Sequence, residues 1–251
     1  MSLSLENENN ENNENNENNE KNEKNEKNEN NTKSQKSQKS QKSQKIQKSQ
    51  KSQENQYTRL ISDILQFGSM ENTRNGKCLT LIGATMRFSL KNHVIPLLTT
   101  KKIAWKTCLK ELLWFIGGHT DNKLLQEQNV KIWNGNASRE FLDKSNLKHL
   151  KENDLGPVYG HQWRHFNALY SDCGADYSGK GIDQLAQVIA MLRDPAQRTS
   201  RRIIMSAWNP CQISEMALPP CHVMVQFHVT NGDELSASMY QRSGDVGLGV
   251  P

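Results

Sequence analysis

The chain has 251 residues, a formal net charge of +5 and a mean hydropathy of −0.82. These averages mix two unlike segments, so the positive balance is weak evidence for nucleic-acid binding. No apolar run approaches the roughly 18 residues that cross a bilayer. Leu3 and Leu5 do not make the apolar stretch of a secretory signal, so no membrane association is expected and the expected location is the cytoplasm.

Residues 1–56 run as Glu-Asn-Asn, then Glu-Lys-Asn, then Lys-Ser-Gln triplets, with Leu3, Leu5 and Ile46 almost the only aliphatic residues. Such a stretch buries too little apolar surface to offset the entropy of ordering it, so a disordered, low-complexity tail is expected. Its cationic block from Lys33 to Lys51 can touch RNA or acidic surfaces only by screened attraction, and it reads as a repeat expansion without a specific role. From Tyr57 onward the composition is that of a globular protein, and 57–251 fits one ordinary domain.

Along that domain, Arg74-Asn75-Gly76 reads as a turn, and Leu79 to Ile82 and Met86 to Leu90 as two strands around the Gly83-Ala84-Thr85 bend. Ile103 to Gly117 places Leu109, Leu112, Leu113 and Ile116 at helical spacing and ends at Gly117-Gly118. Ile132-Trp133 runs into the turn-rich Asn134-Gly135-Asn136, and Gly156 to Gly160 reads as a glycine-bounded lead-in to a strand. Ile182 to Leu192 has a 3.6-residue repeat stopped by Asp194-Pro195, and Ile203 to Trp208 is strand-like, opened by Arg201-Arg202. These patterns alone amount to a mixture of α and β.

Chemistry concentrates near the end. Leu218-Pro219-Pro220-Cys221-His222 and Gln241-Arg242-Ser243-Gly244-Asp245 bring a thiol, an imidazole, a guanidinium and a carboxylate onto two neighbouring strand-like runs. The prolines hold φ near one value and lack an N–H, so the backbone approaching Cys221 is stiff and outside any helix interior. A buried cysteine is often just a small hydrophobe. Arg242 and the Arg201-Arg202 pair favour a thiolate instead, which makes a nucleophile the better reading of Cys221. Glu111 sits among apolar helix neighbours, either as an ordinary solvated carboxylate or as a partly buried proton carrier. Trp133 and Tyr159 are open to a purely structural reading. Five cysteines without CxxC pairs read as free thiols, and the histidines show no ligand spacing, so no metal is expected.

Together with Thr99-Thr100-Lys101, Glu111 to Phe115, Ile132-Trp133, Asp154 to Gly160, Gln162-Trp163-Arg164, Ser200 to Ile203 and Ala207-Trp208-Asn209, these segments closely resemble the thymidylate synthases over residues 57–251. The resemblance implies an α+β fold in which a large mixed β-sheet packs against helices and stacks on its copy in a homodimer. It implies reductive methylation of dUMP to dTMP with 5,10-methylenetetrahydrofolate as one-carbon and hydride donor. Cys221 becomes the nucleophile at pyrimidine C6, with Glu111, Tyr159, His222 and Asp245 as further catalytic residues. Arg74, Arg201, Arg202, Arg242, Gln241, Ser243 and Gly244 fall at substrate-binding positions, Arg201 and Arg202 being donated across the dimer interface. Ile103, Trp105, Trp133, Leu218, Asp245 and Gly249 fall at folate positions. Departures are Asn134 where relatives often have aspartate, and an altered loop around Arg74. The sequence stops at Val250-Pro251, before the family's base-reading asparagine, so a deoxycytidylate hydroxymethylase of the same fold and an inactive binding fragment stand as alternatives, and low turnover is expected of the chain as given.

Overall fold

The computed structural model describes residues 53–73 and 76–249; the repeats, Arg74, Asn75, Val250 and Pro251 lie outside the described residues. The chain divides into two compact units, Met1–Lys102 and Ile103–Pro251.

In the first unit, residues 53–67 form helix α1, followed by strands β1 (Ser69–Thr73) and β2 (Gly76–Thr80), which pair antiparallel from Ser69↔Thr80 to Thr73↔Gly76. Helix α1 is an element the sequence reading passes over, although Tyr57, Leu60, Ile61, Ile64 and Leu65 carry the helical repeat. It also includes Gln53, Glu54 and Gln56, which composition groups with the repeats. The expected strand at Met86 to Leu90 does not form. Its backbone is bonded by side chains of α1 instead: Gln56 accepts from Arg87 N at 2.8 Å and donates to Arg87 O at 2.6 Å, and Gln53 accepts from Ser89 N at 2.7 Å. The expected strand at Leu79 to Ile82 starts earlier and stops at Thr80.

Glu54, 7% exposed, receives the Thr99-Thr100 segment. Its Oε1 accepts from Thr99 N, Thr100 N and Thr100 Oγ1, and its Oε2 from Thr99 Oγ1 at 2.6 Å. The Thr99 hydroxyl, aided by Thr100, outweighs burial and holds this carboxyl below its ordinary 4.5.

In the second unit, helix α2 (Trp105–Ile116) ends as expected: Gly117 N donates to Leu113 O, Gly118 N to Phe115 O, and Gly118 turns the chain at φ +78°. Two short helices, α3 (Lys123–Gln126) and α4 (Arg139–Lys144), frame the Trp133 turn. The lead-in at Gly156 to Gly160 opens not a strand but helix α5 (Tyr159–His165). Its first five residues are all buried, which a one-sided strand does not allow. Gly160 lets α5 approach the end of α2, since a Cβ there would lie 2.5 Å from His119 O. Arg164 completes the joint, bonding Ile116 O at 2.8 Å and both oxygens of Asp183, the N-cap of α6 (Gln184–Arg193).

Strands β3 (Ile204–Ser206), β4 (His222–Thr230) and β5 (Glu234–Gln241) form one antiparallel sheet in that order. The sheets among the described residues are therefore small and antiparallel, not one large mixed sheet. A hairpin through Asn231-Gly232 joins β4 to β5, whereas parallel pairing requires a longer crossover. The core gathers Trp114, Phe115, Leu125, Leu142, Leu155, Trp163 and Ile203. Beside it, Gln162, Asn209 and Gln212 are buried and satisfy one another through bonds of 2.9–3.2 Å.

Glu54→Ala is expected to destabilise the first unit by about 2 kcal/mol, the cost of leaving several donors unpaired. The folded carboxyl has the lower pKa, so its contribution is complete above pH 4.5 and is lost as pH falls through the folded value. Amide exchange at Thr99 and Thr100 should therefore accelerate on acidification in the native protein, and the variant should lose that dependence.

Candidate active site

Cys221 occupies the residue before β4, half-buried, and both sides of its peptide are held. Its N–H donates to the Tyr159 hydroxyl at 2.6 Å, and its C=O accepts from Arg242 N at 3.0 Å. The β4–β5 register explains the second bond: His222 pairs with Gln241, so the residues just outside the ladder, Cys221 and Arg242, continue it. The two strand-like runs are thus neighbours, as their sequence suggested. A register irregularity between His222 and Met224 marks a bulge beside the cysteine.

The guanidinium of Arg242 secures the proline lead-in. Nε donates to Pro220 O at 2.9 Å and Nη2 to Pro219 O at 2.8 Å, while Cζ lies 5.8 Å from the centre of the Trp208 ring. Prolines offer carbonyls but no N–H, so a fork of donors suits them. Trp208 is a site residue that sequence reasoning missed in this role; nothing in the local pattern distinguishes it from a core tryptophan.

Tyr159 is buried in aromatic rings. Its ring centre is 4.5 Å from Phe115, 6.3 Å from Trp133, 6.4 Å from Trp163 and 5.6 Å from His222. Phe115 lies one helical turn beyond Glu111 and Trp163 one turn beyond Tyr159, a spacing that could have revealed both supports. Burial raises the Tyr159 phenol to about 12, with the nearby Cys221 and Glu111 adding to the effect. It is therefore a neutral hydroxyl that accepts from Cys221 and keeps its own hydrogen to donate.

Glu111, on α2, accepts from Trp133 Nε1 at 2.7 Å. Burial raises its carboxyl above the usual range, and the Trp133 bond opposes the rise. His222 is pushed the other way: burial lowers its pKa, so the imidazole is neutral at pH 7. A neutral imidazole and a neutral phenol flank Cys221, and a carboxyl moved toward neutrality lies near the phenol. Such a set can pass protons around a reacting ring.

Among the described residues, no hydrogen bond joins the side chains of the other expected residues to those of Cys221, Tyr159, Glu111 or His222. Asp245 is exposed, and its Oδ1 accepts from Gly247 N and Leu248 N at 2.8 Å, holding the turn that contains Gly249. Ser243 and Gly244 are exposed, and Gln241 donates to Ser243 O at 2.9 Å. Arg201 and Arg202 lie in an exposed turn before β3, and no contact among the described residues joins their guanidinium groups to Cys221. Leu218 packs against the core at the start of the proline lead-in. Ile103 and Trp105 sit at the start of α2, Trp105 47% exposed and flanked by Lys106. Arg74 lies outside the described residues. All five cysteines are free thiols. Among the described residues no group of three or more metal-binding side chains is assembled, and no helix is long and apolar enough to cross a membrane.

The second unit is of the α+β class, with Cys221 on a stiff lead-in bonded to a phenol that adjoins a buried carboxyl. The chain belongs to the thymidylate synthase family, whose model matches residues 55–251. It is 53% identical over 197 residues to the thymidylate synthase of Ascaris suum and 52% identical over 197 residues to that of human herpesvirus 8. It is 54% identical over 197 residues to the bifunctional dihydrofolate reductase-thymidylate synthase of Zea mays. Each match covers 78% of this chain, but 66%, 57% and 37% of those three relatives respectively.

Tyr159→Phe leaves the Cys221 N–H without its partner and is expected to cost about 1–3 kcal/mol. Denaturant unfolding would show the loss, and faster amide exchange at Cys221 would locate it.

Proposed function

We propose that the protein is a thymidylate synthase (EC 2.1.1.45), converting dUMP and 5,10-methylenetetrahydrofolate to dTMP and dihydrofolate. The family membership supports the reaction, and one observation carries its assignment to these residues: Cys221 is fixed between Tyr159 and Arg242, with the Glu111–Trp133 pair behind the phenol. In this reading Cys221 Sγ adds to C6 of the pyrimidine, which makes C5 a nucleophile toward the one-carbon unit. Glu111, its carboxyl pKa raised by burial, and His222, a neutral imidazole, move protons at the base and the folate nitrogen. Tyr159 assists removal of the C5 proton, which its retained O–H hydrogen permits through water. The sulfur leaves again when the folate returns a hydride to the new methyl carbon.

Arg242 is given a double duty, bracing the prolines and, with Ser243, Gly244, Gln241 and Arg74, binding the nucleotide. Trp133 and Leu218 supply apolar surface to the folate together with Ile103 and Trp105, while Asp245 and Gly249 meet its pterin. We further propose a homodimer in which Arg201 and Arg202 reach the partner's phosphate site. Support comes from β5, exposed along nearly its whole length and carrying Leu235, Met239 and Tyr240, each more than half exposed. We place the start of the catalytic domain at α1 rather than at Tyr57, on the strength of the Glu54 bonds, and the protein in the cytoplasm, where free thiols persist.

Incubation with 5-fluorodeoxyuridylate and methylenetetrahydrofolate should leave a covalent adduct on the Cys221 peptide, and Cys221→Ser should abolish it. An adduct on the serine variant would overturn the choice of nucleophile. Sedimentation should show a dimer, and a monomer with full activity would remove the shared phosphate site.

A further inference from the structure

The turn over 131–137 holds one side-chain carbonyl between two amide donors. Asn134 Oδ1 accepts from Asn122 Nδ2 at 3.1 Å and from Gln126 Nε2 at 3.1 Å. Asn122 is completely buried, and its Oδ1 has no partner, so its amide is fixed with both donor bonds directed to Asn134 and Asn153. The residue after Asn134 is Gly135, exposed, with nothing within 4 Å of where a Cβ would stand. Ser138 Oγ donates to Gly135 O at 3.0 Å, but among the described backbone bonds none uses the Gly135 N–H. The Asn134 Nδ2 amide likewise has no acceptor among the described residues.

We propose that Asn134 is a self-modification site, converting to aspartate or isoaspartate through attack by its own backbone. The Gly135 nitrogen, deprotonated by solvent base, forms a bond to Asn134 Cγ while the carbonyl electron pair moves onto Oδ1. There the two amide donors receive the charge, as an oxyanion hole does. Nδ2 takes up a proton and leaves as ammonia, closing a five-membered imide. Water opens the ring at one carbonyl to give aspartate or at the other to give isoaspartate, so the net change is asparagine plus water to acid plus ammonia. The new carboxylate retains both donors and puts a negative charge in the turn directly after Trp133, the partner of Glu111.

The chain contains its own control. Asn231-Gly232 is the same dipeptide in the exposed β4–β5 hairpin. There Asn231 Nδ2 donates to Glu234 Oε2 at 2.9 Å, which retains the leaving nitrogen, and no hydrogen bond of the described residues reaches its Oδ1. Local sequence and exposure favour Asn231; the donor pair favours Asn134.

The test is peptide mass spectrometry of the full chain after incubation at mildly alkaline pH. Native protein should convert Asn134 roughly tenfold faster than Asn231, in line with what charge-stabilising donors contribute elsewhere. In urea the two rates should converge. Gln126→Leu should slow Asn134 toward its rate in urea and leave Asn231 unchanged. Faster conversion of Asn231 in the native chain, a ratio that urea does not alter, or an unaffected Asn134 in a folded Gln126→Leu variant would each overturn the proposal. If that variant does not fold, the comparison of native with urea-treated protein decides alone.

Discussion

The hydrogen bond from Cys221 N to the Tyr159 hydroxyl joins the two parts of the second unit that meet at the candidate site. One end belongs to the start of the central strand β4, the other to a helix packed in the core. A thiol at a strand end would otherwise follow the fraying of that end. Here its backbone is tied to a ring enclosed by Phe115, Trp133 and Trp163, so the aim of the sulfur is inherited from the core. Arg242 acts on the same peptide from the other side, through its own N–H and through the proline carbonyls.

That arrangement depends in turn on where α5 lies. The helix is seated by Gly160 against the end of α2, by the Arg164 fork to Asp183, and by Gln162 within a buried set of amides. Every member of the amide set has a partner, which makes the position of α5 specific as well as stable. The same seating brings α2 alongside, and with it Glu111. Its carboxyl, the Tyr159 phenol and the His222 imidazole are all moved by burial toward their uncharged forms. Burial is thus the common cause of three altered acidities, and the packing that creates the core also tunes the site.

The first unit follows a different rule. Its segment 87–100 forms no regular element over most of its length and takes its bonds from Gln53, Glu54 and Gln56 on α1. Side chains there substitute for a ladder. This explains why the strand expected at Met86 to Leu90 does not form: its backbone groups are taken by α1 side chains, and Phe88 and Leu90 stay exposed. The opposite error occurred at Gly156 to Gly160, where two glycines suggested a strand boundary. One of them serves close helix packing, and only the neighbouring chain reveals that need.

What the sequence determined by itself is local or motif-based: the helix over 105–116 and its glycine stop, the helix ending at Asp194-Pro195, the pairing of the Cys221 and Arg242 runs, and the family. Such features are written in residues close together, or in a stiff Pro-Pro-Cys whose meaning needs no partner. Tertiary structure decided that Trp133 faces Glu111, that Tyr159 holds Cys221, that Arg242 braces two prolines against Trp208, and that Asp245 caps its own turn. Each of these except the last joins residues some twenty or more positions apart, and direction is set by packing on both ends at once. Side-chain periodicity carries no record of such contacts, because it describes one element's faces and not which neighbour will cover them.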